Sequence, residues 1–340
     1  MKQWLETRQV LDRLAELQRE GLRAALATVV RVRGSAYRHE GAKMLVAEDG
    51  TSVGNVSGGC LEADVREVAR IVIETNALER REYCASSDEV SAWDLGVGCE
   101  GMVEVLVQPI GYGKVDVGHW TSVAQCLARH VSFAACTDLA TGAMHARDVE
   151  DGEVSGIRAI NGREVFVDVF TPPPQLVIVS AGDDARHLAR FASEVGFRVV
   201  VVDRRAGLLT HERFPWDVEL VESDADDLLN RVSFAGETYA VTMTHSYADD
   251  REYARALLKS PVRYVGMLGP HQRTERIIRE LSVIGTVDES RIYGPVGLDI
   301  GTDGAEQVAL SVIGEILAVR SGRRPASLRE RPHPIHATTG

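Results

Sequence analysis

From Leu176 onward the sequence alternates short, wholly apolar runs with stripes of apolar residues at helical spacing, and few folds accept that alternation. Leu176 to Ser180 reads as a fully buried strand. Ala185, Leu188, Ala189 and Ala192 then share one face of a helix from Asp184 to Val195, which Gly196 ends. Arg198 to Val202 is a second strand, closing at Asp203, so the segment is a strand, helix, strand unit with parallel strands. Tyr239 to Thr244 and Tyr264 to Leu268 add strands, a helix covers Ala254 to Leu258 between them, and Glu306 to Val319 supplies a closing helix. A doubly wound parallel sheet follows from this order.

Thr171-Pro172-Pro173-Pro174 forms a stiff, extended linker ahead of that sheet, and the pattern on its other side differs. Leu5, Val10, Leu11, Leu14 and Leu17 mark a first helix that ends at Gly21. Ala24 to Val32 and Lys43 to Ala47 are short strands around a loop bounded by Gly34 and Gly41. A helix carrying Leu61, Val65, Val68, Ala69, Val72 and Ile73 starts just after Ser57-Gly58-Gly59-Cys60, and Met102 to Gln108 alternates like a strand. Beyond a short helix at 120–130, Ser132 to Val169 shows strand-like runs parted by Thr141-Gly142, Asp151-Gly152 and Asn161-Gly162, which are hairpin signals. The expected fold is α/β: an N-terminal α+β domain at 1–113, a small antiparallel sheet at 114–171, the doubly wound sheet at 172–322 and a mobile, basic tail at 323–340.

Charge narrows the function. The 38 basic and 50 acidic side chains leave a net charge of −12, a poor match to a phosphate backbone whose affinity comes from clustered Lys and Arg, so no nucleic-acid partner is expected. The first eight residues carry charges where an export signal needs an apolar run, and no later run is long enough to cross a bilayer. A cytoplasmic protein without membrane insertion is expected. Its five cysteines are an odd number with no C-x-x-C pair, which favours free thiols over a disulfide framework or a closed zinc site.

Three places carry candidate chemistry. Ser57-Gly58-Gly59-Cys60-Leu61-Glu62 opens a helix, where free amides and the positive end of the dipole favour an anion and stabilise a thiolate at Cys60; the competing reading is a tight turn with a small apolar side chain. Gly96-Val97-Gly98-Cys99-Glu100-Gly101 sets a second thiol between glycines before a strand. With the Gly34 to Gly41 loop and its Ser35, Arg38 and nearby Lys43, these make a pocket for a soft, anionic ligand containing a metal or sulfur. In the second half Ser180-Ala181-Gly182-Asp183 is a strand-to-helix turn of the G-x-G-x-x-G/A kind with serine in the first place, and Asp203 stands where an acid binds a ribose hydroxyl. His245, in Met243-Thr244-His245, lies at a strand end where such sheets bind ligands.

Together these motifs make the sequence resemble the XdhC/CoxI family of accessory proteins for molybdenum hydroxylases. The resemblance rests on Gly34-Ser35, Gly41-Ala42-Lys43-Met44, Ser57 to Glu62 and Gly98-Cys99, then on Gly182, Val202 to Arg205, Met243 to His245, Gly266-Met267-Leu268-Gly269 and Pro295 to Gly301. It implies an N-terminal cofactor-handling domain and a Rossmann-like C-terminal one. It further implies binding of the molybdenum cofactor (molybdopterin), help with its sulfuration and delivery to a molybdenum hydroxylase client such as xanthine dehydrogenase, with a cysteine desulfurase as second partner. Cys60 and Cys99 match the family's glycine-flanked cysteines and are the metal or sulfur ligands so implied; Ser35, Arg38, Lys43, Ser57, Gly58, Gly59, Gly98, Gly182, Asp203 and His245 are the further cofactor-binding candidates. The turn at Ser180-Ala181-Gly182-Asp183 departs from the family's Gly-x-Gly-His. A homodimer is expected, and an accessory chaperone rather than a turnover enzyme. The alternative is an NAD(P)-dependent oxidoreductase acting on a small substrate, which the doubly wound half taken alone would favour.

Overall fold

The computed structural model describes residues 2–34, 36–84, 101–110, 113–234, 236–285 and 287–330. The chain forms two compact units, Met1–Pro172 and Pro173–Gly340, divided within the proline run.

In the first unit, α1 (Lys2–Glu20) precedes β1 (Ala24–Gly34), β2 (Lys43–Ala47) and β3 (Ser52–Gly54), and α2 (Glu62–Thr75) precedes β4 (Glu79–Cys84) and β5 (Gly101–Ile110). The five strands form one antiparallel sheet in the order β3-β2-β1-β5-β4. Successive side chains of a strand face opposite ways, and β1 uses both faces. Ala24 and Leu26 join Trp4, Val10, Leu14 and Leu17 of α1, while Ala25, Ala27 and Val29 join Val65, Val68 and Val72 of α2. Neither β3 nor β4 shows in the sequence pattern: β4 reads Glu-Arg-Arg-Glu-Tyr-Cys, the charged composition that protects a sheet edge.

The same unit continues through α3 (Gly113–Ala128), β6 (Phe133–Asp138), β7 (Met144–Arg147), β8 (Gly156–Ile160) and β9 (Arg163–Phe170), the strands forming a second antiparallel sheet of order β7-β6-β9-β8. Asn161 and Gly162, at φ 51° and 76°, make the two-residue turn between β8 and β9, a geometry that suits strand twist and that asparagine and glycine tolerate. Phe133, Ala135 and Phe170 of this sheet share a core with Trp4 and Leu14 of α1 and with Leu26 of β1. The two antiparallel sheets of this unit therefore share one core with α1. A buried ion pair between Lys43 of β2 and Asp168 of β9 joins the two sheets.

The second unit is α/β: β10 (Gln175–Val179), α4 (Asp183–Glu194), β11 (Arg198–Asp203), β12 (Glu219–Glu222), α5 (Leu228–Arg231), β13 (Thr238–Thr242), α6 (Tyr247–Leu258), β14 (Tyr264–Met267), α7 (His271–Ile284), β15 (Ile292–Tyr293) and α8 (Ala305–Ser321). The strands form one parallel sheet in the order β12-β11-β10-β13-β14-β15. That order reverses beside β10, so the crevice at its carboxyl end is the topological switch point where ligands of open α/β sheets bind. The later glycine motifs serve packing. A Cβ on Gly266 would fall closer than 3.0 Å to Val296 and Tyr264, and one on Gly294 closer than 3.0 Å to Thr274. Of the tail expected at 323–340, residues 331–340 lie outside the described residues. Among the described residues, no helix is long and apolar enough to cross a membrane.

Candidate functional site

In the first unit the candidate chemistry centres on the turn that opens α2. Ser57 is buried, and its hydroxyl accepts hydrogen bonds from the amides of Gly59 and Leu61, both at 3.1 Å, and from Cys60 Sγ at 3.5 Å. The same hydroxyl donates to Glu62 Oε2 at 2.5 Å, and the Ser57 amide donates to Glu62 Oε1 at 2.8 Å. Burial pushes the Glu62 carboxyl up, but these bonds outweigh it and hold the group below its ordinary value. The helix thus supplies from its own first turn the anion that its amino end attracts. Gly59 sits at φ +118°, a conformation that other residues rarely adopt. Gly58 and Gly59 are exposed and Cys60 is half-buried, so the turn presents main chain and a thiol to the outside.

Arg38 and Lys43, the two cationic candidates of this pocket, are each held by a carboxylate. Arg38 is 8% exposed and makes two hydrogen bonds to Glu6 of α1. Lys43 is 4% exposed; its Nζ bonds Asp168 and the Gly41 carbonyl at 2.9 Å, and lies 5.1 Å from the centre of the Phe170 ring. Asp168 also accepts from Gln3. Both cations are matched by carboxylates inside the unit. Ser35, Gly98 and Cys99 lie outside the described residues, so the geometry of the first unit's candidates is that of Ser57, Gly58, Gly59 and Cys60. One neighbour escapes the sequence pattern: the ring of Tyr37, which lies over Gly58. Among the described residues, no three His, Cys, Asp or Glu side chains form a metal-binding group. Of the remaining thiols, Cys136 is buried and its pKa is pushed up by that burial, while Cys84 is exposed and pushed up by Glu82.

In the second unit the structure gathers Gly182, Asp203 and His245 at the carboxyl ends of β10, β11 and β13. The Gly182 amide donates to Ser180 Oγ at 3.0 Å, and the Ala181 amide donates to Asp203 Oδ2 at 2.7 Å. Asp203 also accepts from Arg205, whose amide and Nε reach Oδ1 at 2.9 Å and whose Nη2 reaches Oδ2 at 2.8 Å. Burial pushes this carboxyl up, yet Arg205 and the Ala181 amide win and hold it below its ordinary value. Both oxygens of the acid in the ribose position are engaged. Asp183 and Asp184 begin α4; Asp183 pairs with Arg213 at 3.1 Å, and Asp184 with His245 Nε2 at 3.0 Å. A cavity of about 120 Å³ lies alongside, lined by Ser180, Asp203, Arg204, Thr244, Ser246 and Asp249. Thr244, in its lining, is held by a pair that sequence reasoning missed. Asp250, 1% exposed, accepts from the Thr244 amide at 3.0 Å and hydroxyl at 2.7 Å and pairs with Arg273 of α7, and burial pushes its carboxyl above the ordinary value.

Known proteins match this arrangement along nearly the whole chain. Residues 17–83 match the XdhC and CoxI family, and residues 176–316 match the XdhC Rossmann domain. A probable xanthine dehydrogenase subunit of Bacillus subtilis is 30% identical over 92% of this chain and 96% of its own length. The molybdenum cofactor insertion chaperone PaoD of Escherichia coli is 24% identical over 92% of this chain and 88% of its own. Among solved structures, a xanthine dehydrogenase from Bacillus halodurans superposes with a TM-score of 0.75 at 31% identity, covering 93% of this chain and 97% of that one. With its antiparallel first unit, its parallel second unit and these relatives, the chain belongs to the XdhC/CoxI family.

Proposed function

We propose that the protein binds the molybdenum cofactor as cargo, assists the acquisition of its terminal sulfur and delivers it to a molybdenum hydroxylase such as xanthine dehydrogenase. The observation that carries this reading is the Ser57 to Cys60 turn, which sets two exposed glycines and a half-buried thiol at the amino end of a helix. It occurs in a chain that aligns over 92% of its length with a protein named a molybdenum cofactor insertion chaperone. A soft sulfur ligand suits molybdenum or a sulfido group, and glycine main chain admits an anionic ligand closely. Cys60, with Cys99 and Gly98 from the second glycine loop, holds the soft end of the cargo. Ser35 and the backbone of Gly58 meet its polar groups beside Gly59, whose own amide is taken by Ser57, while Arg38 and Lys43, already paired with Glu6 and Asp168, act by fixing the loops. A cysteine desulfurase supplies the sulfur, and the working form is a cytoplasmic homodimer.

The second unit suits an NAD(P) pyrophosphate poorly. Asp183 and Asp184 place carboxylates at the first turn of α4, and Asp203 has Arg205 and the Ala181 amide where ribose hydroxyls would have to bind. Gly182, Asp203 and His245 accordingly serve the cargo's nucleotide or the docking of a client rather than hydride transfer.

The test is to express a molybdenum hydroxylase with and without this protein and to measure its activity and cyanide-releasable sulfur. Higher values of both in its presence are expected. The purified protein should also yield pterin fluorescence after oxidation. Equal hydroxylase activity and sulfur loading with and without it, across xanthine, aldehyde and carbon monoxide dehydrogenases, would overturn the reading; micromolar binding of NAD or NADP by calorimetry would revive the oxidoreductase.

A further inference from the structure

Tyr37 is a large ring left 67% exposed in a loop where Arg38, Glu40 and Gly41 are each pinned. Arg38, next to it, is fixed by Glu6; Glu40 accepts from the Val32 amide at 3.0 Å; and the Gly41 amide donates to the Val29 carbonyl at 2.8 Å. The ring is therefore held in the open by its neighbours in sequence. One face lies on Gly58: a Cβ there would stand 3.3, 3.4 and 3.6 Å from Cγ, Cδ1 and Cδ2. Near-equal distances to three ring carbons describe an approach to the face rather than the edge. A Cβ on Gly59 would meet nothing within 4 Å, and Cys60 follows at once. An aromatic ring backed by main chain on one side and open to solvent on the other is built to receive a second flat ring.

We propose that Tyr37, seated on Gly58 two residues before Cys60, is a stacking platform for a planar heteroaromatic ligand. The identity of that ligand as the bicyclic pterin of the cargo rests on the molybdenum-cofactor reading; the platform itself rests on the exposure of Tyr37 and its seat on Gly58. Stacking on an aromatic face tolerates many heterocycles, because it reads the π-surface rather than a hydrogen-bond pattern. The platform would thus hold the organic part of the cargo while the thiol addresses its metal end, two contacts that can be released separately.

The experiment titrates full-length protein with pterin-6-carboxylate, following its fluorescence, and measures molybdenum retained by the same variants when purified from cells making the cofactor. Tyr37→Ala should weaken pterin-6-carboxylate binding roughly tenfold, as loss of one aromatic stack does. Tyr37→Phe, which keeps the face and loses only the hydroxyl, should bind like wild type. Tyr37 is exposed, so Tyr37→Ala should melt within about 2 °C of wild type. Wild-type affinity in Tyr37→Ala would overturn the platform, as would equal losses in Tyr37→Phe and Tyr37→Ala, or no binding of the pterin by wild type. Molybdenum separates the two ideas. A protein that retains the metal but whose pterin binding ignores Tyr37 keeps the cofactor reading and loses the platform, whereas one that stacks pterin through Tyr37 but never carries molybdenum keeps the platform and loses the cofactor reading.

Discussion

Each unit opens a helix with a turn organised by a serine: Ser57 Oγ accepts the amide of Gly59 at 3.1 Å, and Ser180 Oγ accepts the amide of Gly182 at 3.0 Å. Each turn also gives one amide to a buried carboxylate. The carboxylate comes from Glu62, five residues on in the same helix, in the first unit, and from Asp203, 22 residues away at the end of the next strand, in the second. The first turn is consequently bonded within its own helix start, with Val56 and Leu61 on either side of it in the α2 core, whereas the second is stitched to β11.

The largest expected effect tests whether the first turn is independent of the charges beneath it. Lys43→Met leaves Asp168 buried without its cation, and removing one partner of such a pair costs about 3–5 kcal/mol. Urea unfolding should show that loss while the labelling rate of Cys60 by a thiol reagent in native buffer stays unchanged; faster labelling would mean that the turn leans on the sheet after all. Next comes Asp203→Ala, which strands the Ala181 amide and frees Arg205, for about 1.5–3 kcal/mol. Its amide exchange should quicken along β10 and β11. Glu62→Ala should cost less, about 1–2 kcal/mol, because only the Ser57 amide and hydroxyl lose a partner, with faster exchange confined to residues 57–62. If exchange spread into β1 or β5, the contrast between the two turns would fail.

Acid gives a gentler probe. Glu62 and Asp203 are both held below their ordinary values, so the stability each contributes is present above the unfolded pKa, near 4, and drains away as pH falls through the lower folded one. Glu62→Gln and Asp203→Asn should each flatten the decline between about pH 4 and pH 2 relative to wild type; an unchanged slope would mean that the carboxylates are not strengthened by folding. The smallest effect on folding belongs to Cys60→Ser. Its half-buried thiol donates one weak hydrogen bond and packs at the margin of the α2 core, so stability should shift by less than about 1 kcal/mol, yet molybdenum recovered with the purified protein should drop severalfold. Undiminished metal would remove Cys60 from the cargo site.

How far the sequence can be read follows from how local each feature is. β10 and β13 are buried throughout and β11 from Val199 on, so their apolar runs announce them, and the glycine turn at Gly182 and the strand-end Asp203 follow from those strands. β4 and β12, charged and at the margins of their sheets, carry no such run. The α7 helix is hidden in another way: its buried stripe is only Thr274, Ile277 and Leu281, and its polar first turn continues what reads as a glycine loop. At the site, the Ser57 to Cys60 turn is legible because a serine, two glycines and a helix start are adjacent. The carboxylates that occupy Arg38, Lys43 and Arg273 are not, because Asp168 stands 125 residues from Lys43 and only the topology of two sheets brings them together. Tyr37 is illegible for a similar reason, since nothing in its neighbourhood of sequence says that Gly58 lies beneath it.

The Lys43 to Asp168 pair also bears on how such a chain can be recombined. The four-stranded sheet brings the counter-ion of the five-stranded one, along with Phe133 and Phe170 for its core. A gene fragment ending near residue 113 would encode a buried lysine with no anion, and its complement a buried aspartate with no cation, each penalised before any question of ligand arises. A junction within the proline run, by contrast, leaves that pair whole. The antiparallel half is then inherited, swapped or expressed as one block of about 170 residues, and the loop that bears Cys60 travels with a sheet more than 50 residues downstream of it.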